Sequence, residues 1–257
     1  MFSLGGEVGD FLRQLMLRRK EGDHRGVLCV TDAFDGPRGD GPSGYLHPEE
    51  AGYLAGLRYP KRRGDYLIGR YVGKRAVAAL VGEPDPAGFR IDRGVFGHPV
   101  VRGTARAGVQ VSITHNGPAA AAVAFDEAHP MGVDLEQIDE SRLPTLLRQL
   151  SGDERALVDQ LGLPLLEAAV RLWSARESLT KAMRTGLTVP MPLLEVSAAV
   201  ATVGCVRFEF RNFFQFAAMT VRIGAYCLAL ALPRYTRLDP LTLPAGTLGS
   251  PAEVRLG

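Results

Sequence analysis

Two segments of the chain carry apolar residues at helical period, and each is followed by strand-like runs. The first, KRRGDYLIGRYVGKRAVAALV (residues 61–81), sets Tyr66, Leu67, Tyr71, Val77 and Leu80 among arginines and lysines, the pattern of a long, basic, amphipathic helix. A Gly- and Pro-rich connection leads to VQVSITHNGPAAAAVAF, two strand-like runs about an Asn-Gly turn, the strongest short-range hairpin signal. The second helical segment spans residues 163–184 and ends at the Gly186 region, with prolines at 190 and 192. LLEVSAAVATVG, VRFEFRNFFQF and AYCLALAL then read as strands of an antiparallel sheet. This order predicts an α+β fold rather than a doubly wound parallel sheet, with room for two halves of similar plan.

The flanking stretches fill in the rest. Phe11, Leu12, Leu15 and Met16 predict a short amphipathic helix within residues 2–20. GVLCVTDAF reads as a buried strand, and DGPRGDGPSG is a loop by composition. Pro48 suits the first turn of a helix, where Glu49 and Glu50 complement its dipole. HPMGVDLEQID supplies another strand, and LSGDERAL opens a helix with Ser151 three residues before Glu154, a capping box. From Pro233 the chain is rich in proline and glycine and is expected to attach loosely.

Composition narrows the function classes. At 257 residues and 46% hydrophobic, the chain can bury a full core. Thirty basic against 28 acidic residues leave +2, too balanced for a general polyanion binder, so no nucleic-acid partner is expected and any basic site must be local. Cys29, Cys205 and Cys227 lack the close pairing of zinc sites or disulfide frameworks and read as reduced and buried. Nowhere do 18 apolar residues follow one another, so a cytoplasmic protein without a membrane span is expected.

Three groups of residues could carry chemistry. In GVDLE, strand period puts Asp134 and Glu136 on one face; they are either acids turned to water or, with Glu177, carboxylates for a hard cation such as Mg²⁺. In WSARESLTKA, Trp173, Glu177 and Lys181 recur every four residues on one helical stripe. Thr114 and His115 end a strand before a turn, while Arg62 and Arg70, eight apart, can reach a common anion or simply form a solvated face. No Walker A loop, G-x-G-x-x-G, H-E-x-x-H or G-x-S-x-G occurs, which argues against P-loop nucleotidases, Rossmann dehydrogenases, zinc proteases and α/β-hydrolases.

Taken in order, SITHNG, GVDLE and WSARESLTKAMRTGL resemble the three signature blocks of the 4'-phosphopantetheinyl transferases of the surfactin-synthetase-activating type. KRRGDYLIGRYVGKRAV and GVFGHPVV resemble that family's N-terminal blocks, and the similarity spans roughly residues 45–232. The resemblance implies two similar α+β halves related by a pseudo-twofold axis, here residues 1–131 and 132–257, with coenzyme A between them. It implies Mg²⁺-dependent transfer of the phosphopantetheine arm of coenzyme A to a serine of an acyl, peptidyl or aryl carrier protein, with Mn²⁺ as an alternative ion and a monomeric enzyme.

By motif, Asp134, Glu136 and Glu177 match the metal-binding acids, and Lys181 the lysine beside the diphosphate. Asp134, Glu177 and Lys181 are the implied catalytic set. Thr114 and His115 match contacts to the nucleotide's 3'-phosphate region, and Arg62 and Arg70 match arginines on coenzyme A phosphates. Two positions depart from the family: Arg176 stands where lysine usually precedes the glutamate, and His98 where some members have lysine between glycine and proline. Two rivals use the same residues: a metal-indifferent module that binds coenzyme A or a carrier, and a metal-dependent hydrolase of coenzyme A.

Overall fold

The computed structural model describes residues 10–32 and 44–238. Most of the loop expected at 35–44, and the tail beyond 238, lie outside the described residues. Contacts divide the chain into two units, one ending at Pro130 and the other beginning at Met131.

In the first unit the expected amphipathic helix within residues 2–20 is replaced, over its described part, by a strand, β1 (Phe11–Arg19), paired antiparallel with β2 (Gly22–Thr31). Leu15 and Leu17 are buried while Leu12 and Gln14 are exposed, so the period is two. The Phe11, Leu12, Leu15, Met16 spacing fits either element, and ladder pairing with the buried run Val27–Val30 decides it. Gly22, at φ 147°, closes the hairpin.

Helix α1 (Pro48–Gly56) starts as expected at Pro48, with a capping box in which His47 accepts from the Glu49 amide and Glu50 from the His47 amide. Helix α2 (Pro60–Val81) ends at Gly82 in the left-handed region. The connection that follows holds a small hairpin, β3 (Arg90–Arg93) with β4 (Pro99–Arg102), too short for its alternation to stand out in the sequence. The Asn-Gly hairpin is present as β5 (Val109–Asn116) and β6 (Ala119–Asp126), turning through Gly117 at φ 61°. Strands β1, β2, β6 and β5 are neighbours in that order. Helix α2 lies on this sheet and buries Ile68, Val72, Ala76 and Val77 against Val27, Cys29, Val111 and the alanines of β6.

The second unit repeats the plan of one long helix on an antiparallel sheet. Strand β7 (Gly132–Gln137) is followed by α3 (Leu143–Arg148), α4 (Gly152–Gln160) and α5 (Leu165–Ala182). The Ser151–Glu154 capping box forms as the sequence predicts. Strands β8 (Val196–Thr202), β9 (Cys205–Phe210), β10 (Phe216–Ile223) and β11 (Tyr226–Pro233) give the sheet order β7-β11-β10-β9-β8. VRFEFRNFFQF therefore holds one strand and the start of the next, divided after Phe210. Leu172, Ala175 and Leu179 of α5 pack on Phe208, Phe210, Ala218 and Ala231. A two-residue strand, β12 (Arg237–Leu238), ends the described chain.

All three cysteines are buried free thiols; burial pushes those of Cys29 and Cys227 up to about 12. No helix among the described residues is long and apolar enough to cross a membrane.

Candidate functional site

The acids of GVDLE and the stripe of WSARESLTKA meet where α5 crosses β7. Gly132 makes that crossing close: a Cβ there would lie 2.0 Å from the Ser178 carbonyl oxygen and 2.5 Å from the Ala182 nitrogen. With the helix backbone this near, Asp134 reaches two α5 side chains. Its Oδ1 accepts from Lys181 Nζ at 2.7 Å and its Oδ2 from the buried Ser174 hydroxyl at 2.7 Å.

Glu136, two residues on, faces the same side. Its Oε1 accepts from the Trp173 indole at 3.3 Å and its Oε2 pairs with Arg142, in the short turn before α3. Trp173 is half-buried, packed beside Leu146, Ala169 and Val170, so it anchors its stripe in the core and carries a polar contact as well. Burial, then Asp134, raises the Glu136 carboxyl above its ordinary value.

Glu177 differs from both neighbours. Its half-buried carboxylate makes no hydrogen bond or ion pair among the described residues. Burial first, and the charges of Asp134 and Glu136 after it, push it up to about 7, against the opposing pull of Lys181 and Arg142.

Three carboxylates in mutual repulsion are oxygen donors of the kind a hard divalent cation takes, so the donor chemistry fits one. In this arrangement protein cations hold two of the three, and among the described residues no three His, Cys, Asp or Glu groups converge as ready-made metal ligands. Arg176 turns away from the site. It is 2% exposed, donates to the Gln149 carbonyl at 3.0 Å and pairs with the buried Glu154, which also accepts from the Val196 amide.

A separate cavity of about 640 Å³ lies in the first unit between α1, α2, β3 and β5, lined by acidic residues (Glu49, Glu50, Asp65 and Asp92) as well as basic ones. Arg62, Arg70 and His115 all face it, and Arg93 joins them. Arg62 and Arg93 make no ion pair or hydrogen bond among the described residues. Arg70 has its Nε 3.1 Å from Glu50 and lies over the Tyr66 ring at 4.5 Å. His115 has Nδ1 3.9 Å from Asp65.

Thr114 does not share this cavity. Alternation along β5 turns Ile113 and His115 towards α2 and buries Thr114 on the opposite face. His98 is also outside the lining, although Gly97 and Pro99 belong to it; its ring folds over Gly94, where a Cβ would stand 2.5 Å from its Cε1.

The sequence reading missed Ser174, Arg142 and Arg93. Ser174 precedes Lys181 by two turns and so shares its stripe, a signal within reach; Arg93 stands two residues after the core residue Ile91 and shares its face. Arg142 reaches Glu136 only through a turn, which leaves no periodic trace.

A helix on an antiparallel sheet, bringing three carboxylates and a lysine together, defines an α+β protein with an acidic site in its second unit. Residues 130–231 match the family model described as the 4'-phosphopantetheinyl transferase superfamily, under half of the chain but including all of β7 and α5 with Asp134, Glu136, Glu177 and Lys181, while Arg62, Arg70, Arg93 and His115 lie outside it. The match supports the superfamily in general terms over that segment. No curated protein matches the chain.

Proposed function

We propose that this chain transfers the 4'-phosphopantetheine arm of coenzyme A to a serine hydroxyl of an apo acyl, peptidyl or aryl carrier protein, releasing adenosine 3',5'-bisphosphate. The observation that carries this reading is Glu177: a half-buried carboxylate with no ion pair among the described residues, near Asp134, Glu136 and Lys181, inside the segment that matches the superfamily.

In the reaction the serine oxygen forms a bond to the phosphorus carrying pantetheine. The bond from that phosphorus to the bridging oxygen breaks, and the electron pair leaves on adenosine 3',5'-bisphosphate. Glu177, the one of the three carboxylates with no ion pair among the described residues, would accept the serine proton. Lys181, held by Asp134, supplies a fixed positive charge where the diphosphate oxygens gain charge. Asp134 and Glu136, with Glu177 beside them, would hold Mg²⁺ or Mn²⁺, which supplies Lewis-acid stabilisation of the diphosphate when bound. Arg62, Arg70, Arg93 and His115 would hold the phosphates of coenzyme A in the cavity of the first unit. Thr114, on the other face of β5, has no part in that cavity.

The test is intact-protein mass spectrometry of a panel of apo carrier proteins incubated with the purified chain, Mg²⁺ and coenzyme A. A gain of one phosphopantetheine mass on a carrier is expected. No gain on any carrier overturns the reading.

A further inference from the structure

We propose that Glu50 is a positioning residue for the cavity of the first unit, fixing the guanidinium of Arg70 so that its two terminal nitrogens are available to a bound phosphate. The inference rests on the reading of that cavity as the coenzyme A site.

Glu50 is 4% exposed and holds four groups from separate parts of the unit. Its Oε1 accepts from the Ile91 amide at 2.8 Å and lies 3.1 Å from Arg70 Nε. Its Oε2 accepts from the His47 amide at 3.0 Å and pairs with Lys74 Nζ at 2.7 Å. A carboxylate this deep is retained only with its charge matched.

Two cations are present, and they differ in what else they do. Lys74 is fully buried, and its three ammonium protons are accounted for by Glu50, the Pro86 carbonyl at 2.9 Å and the Phe89 carbonyl. That residue is a strut. Arg70 meets Glu50 through the Nε edge alone, as an ion pair at 3.1 Å rather than an aligned hydrogen bond, and its terminal nitrogens make no hydrogen bond among the described residues.

The Tyr66 ring supports the guanidinium plane from one side at 4.5 Å and the carboxylate fixes its edge. Arg62 and Arg93, in the same cavity, have no such supports among the described residues and must be ordered by the ligand. An arginine fixed beforehand loses less side-chain freedom on binding an anion, so Glu50 acts on affinity rather than on the chemical step.

The experiment is calorimetric titration of coenzyme A into wild type, Glu50→Gln, Arg70→Ala and the double variant, with steady-state kinetics beside it. Glu50→Gln is expected to raise Kd and KM about five- to tenfold, the scale of ordering one long side chain, with kcat within about twofold because the site on α5 is untouched. In the Arg70→Ala background the Glu50 substitution should have no further effect on Kd, a coupling that a purely structural role would not produce. An unchanged Kd in Glu50→Gln, or the full loss persisting without Arg70, overturns the proposal while leaving the cavity reading intact. Failure of wild type to bind coenzyme A overturns both. Where Glu50→Gln does not fold, Glu50→Asp keeps the charge but shortens its reach, and the same coupling to Arg70 is expected of it; without that coupling the proposal falls.

Discussion

Lys181 Nζ lies 2.7 Å from Asp134 Oδ1, joining the last turns of α5 to the middle of β7 through one ion pair. The pair is only partly shielded, the lysine side chain being 26% exposed against 5% for the aspartate. In the proposed reaction its ammonium would serve the diphosphate without leaving its own carboxylate. Replacing Lys181 by alanine should lower kcat for phosphopantetheine transfer about 10²-fold or more, the scale for loss of one charge-stabilising donor. Turnover near the wild-type value would remove Lys181 from the mechanism.

Glu177→Gln separates function from stability. The substitution keeps size and removes a half-buried carboxylate that burial and two acidic neighbours disfavour in its charged form. Transfer should be abolished, and the thermal midpoint at pH 8 with chelator present should hold or rise, because a repulsion is relieved. A variant that is inactive because it is unfolded, as circular dichroism would reveal, contradicts this account.

Gly132→Ala should destabilise by about 3 kcal/mol, since the added methyl meets α5 backbone that no rotamer change can move. Gly64→Ala serves as the opposite case. Gly64 is exposed in α2 with nothing within 4 Å of its would-be Cβ, so alanine there should stabilise by about 0.5–1 kcal/mol. Urea unfolding of the two variants checks both signs.

Arg176→Lys restores the residue type common in the family that this chain resembles, yet it should cost stability. Lysine cannot span both the Gln149 carbonyl and Glu154, so about 1–3 kcal/mol should be lost. Because the guanidinium points away from Asp134 and Glu177, kcat measured below the melting transition should stay within about twofold of wild type. A large fall in kcat with an unchanged melting temperature would place Arg176 in the reaction instead.

How far the sequence could be read depended on whether the signal was local. The Ser151–Glu154 box, the span of α2 and the β5–β6 hairpin rest on contacts between near neighbours, and all three are present. The segment Phe11–Arg19 failed because two periods fitted its leucines and only pairing with β2 chose between them. Asp134 and Glu136 share a face because strand period is two, and the same rule separates Thr114 from His115. Trp173 comes to Glu136, Glu154 to Arg176 and Glu50 to Arg70 from 37, 22 and 20 residues away, a distance over which periodicity carries no information.

The buried His129 should make the fold acid-sensitive above the usual carboxylate range. Burial first, and the neighbouring His24 ring at 5.1 Å second, push it down to about 4, with Arg19 adding to the same effect. Below about pH 6.5 the unfolded chain takes up a proton at this site that the folded protein refuses until pH falls near 4. The contribution to stability is therefore complete above pH 6.5 and is lost progressively as pH falls to about 4, by up to roughly 3 kcal/mol. His129→Gln should flatten that part of the curve of urea midpoint against pH, leaving the slope from the carboxylates below it. Identical curves for wild type and variant would show that His129 titrates alike in the folded and unfolded chain.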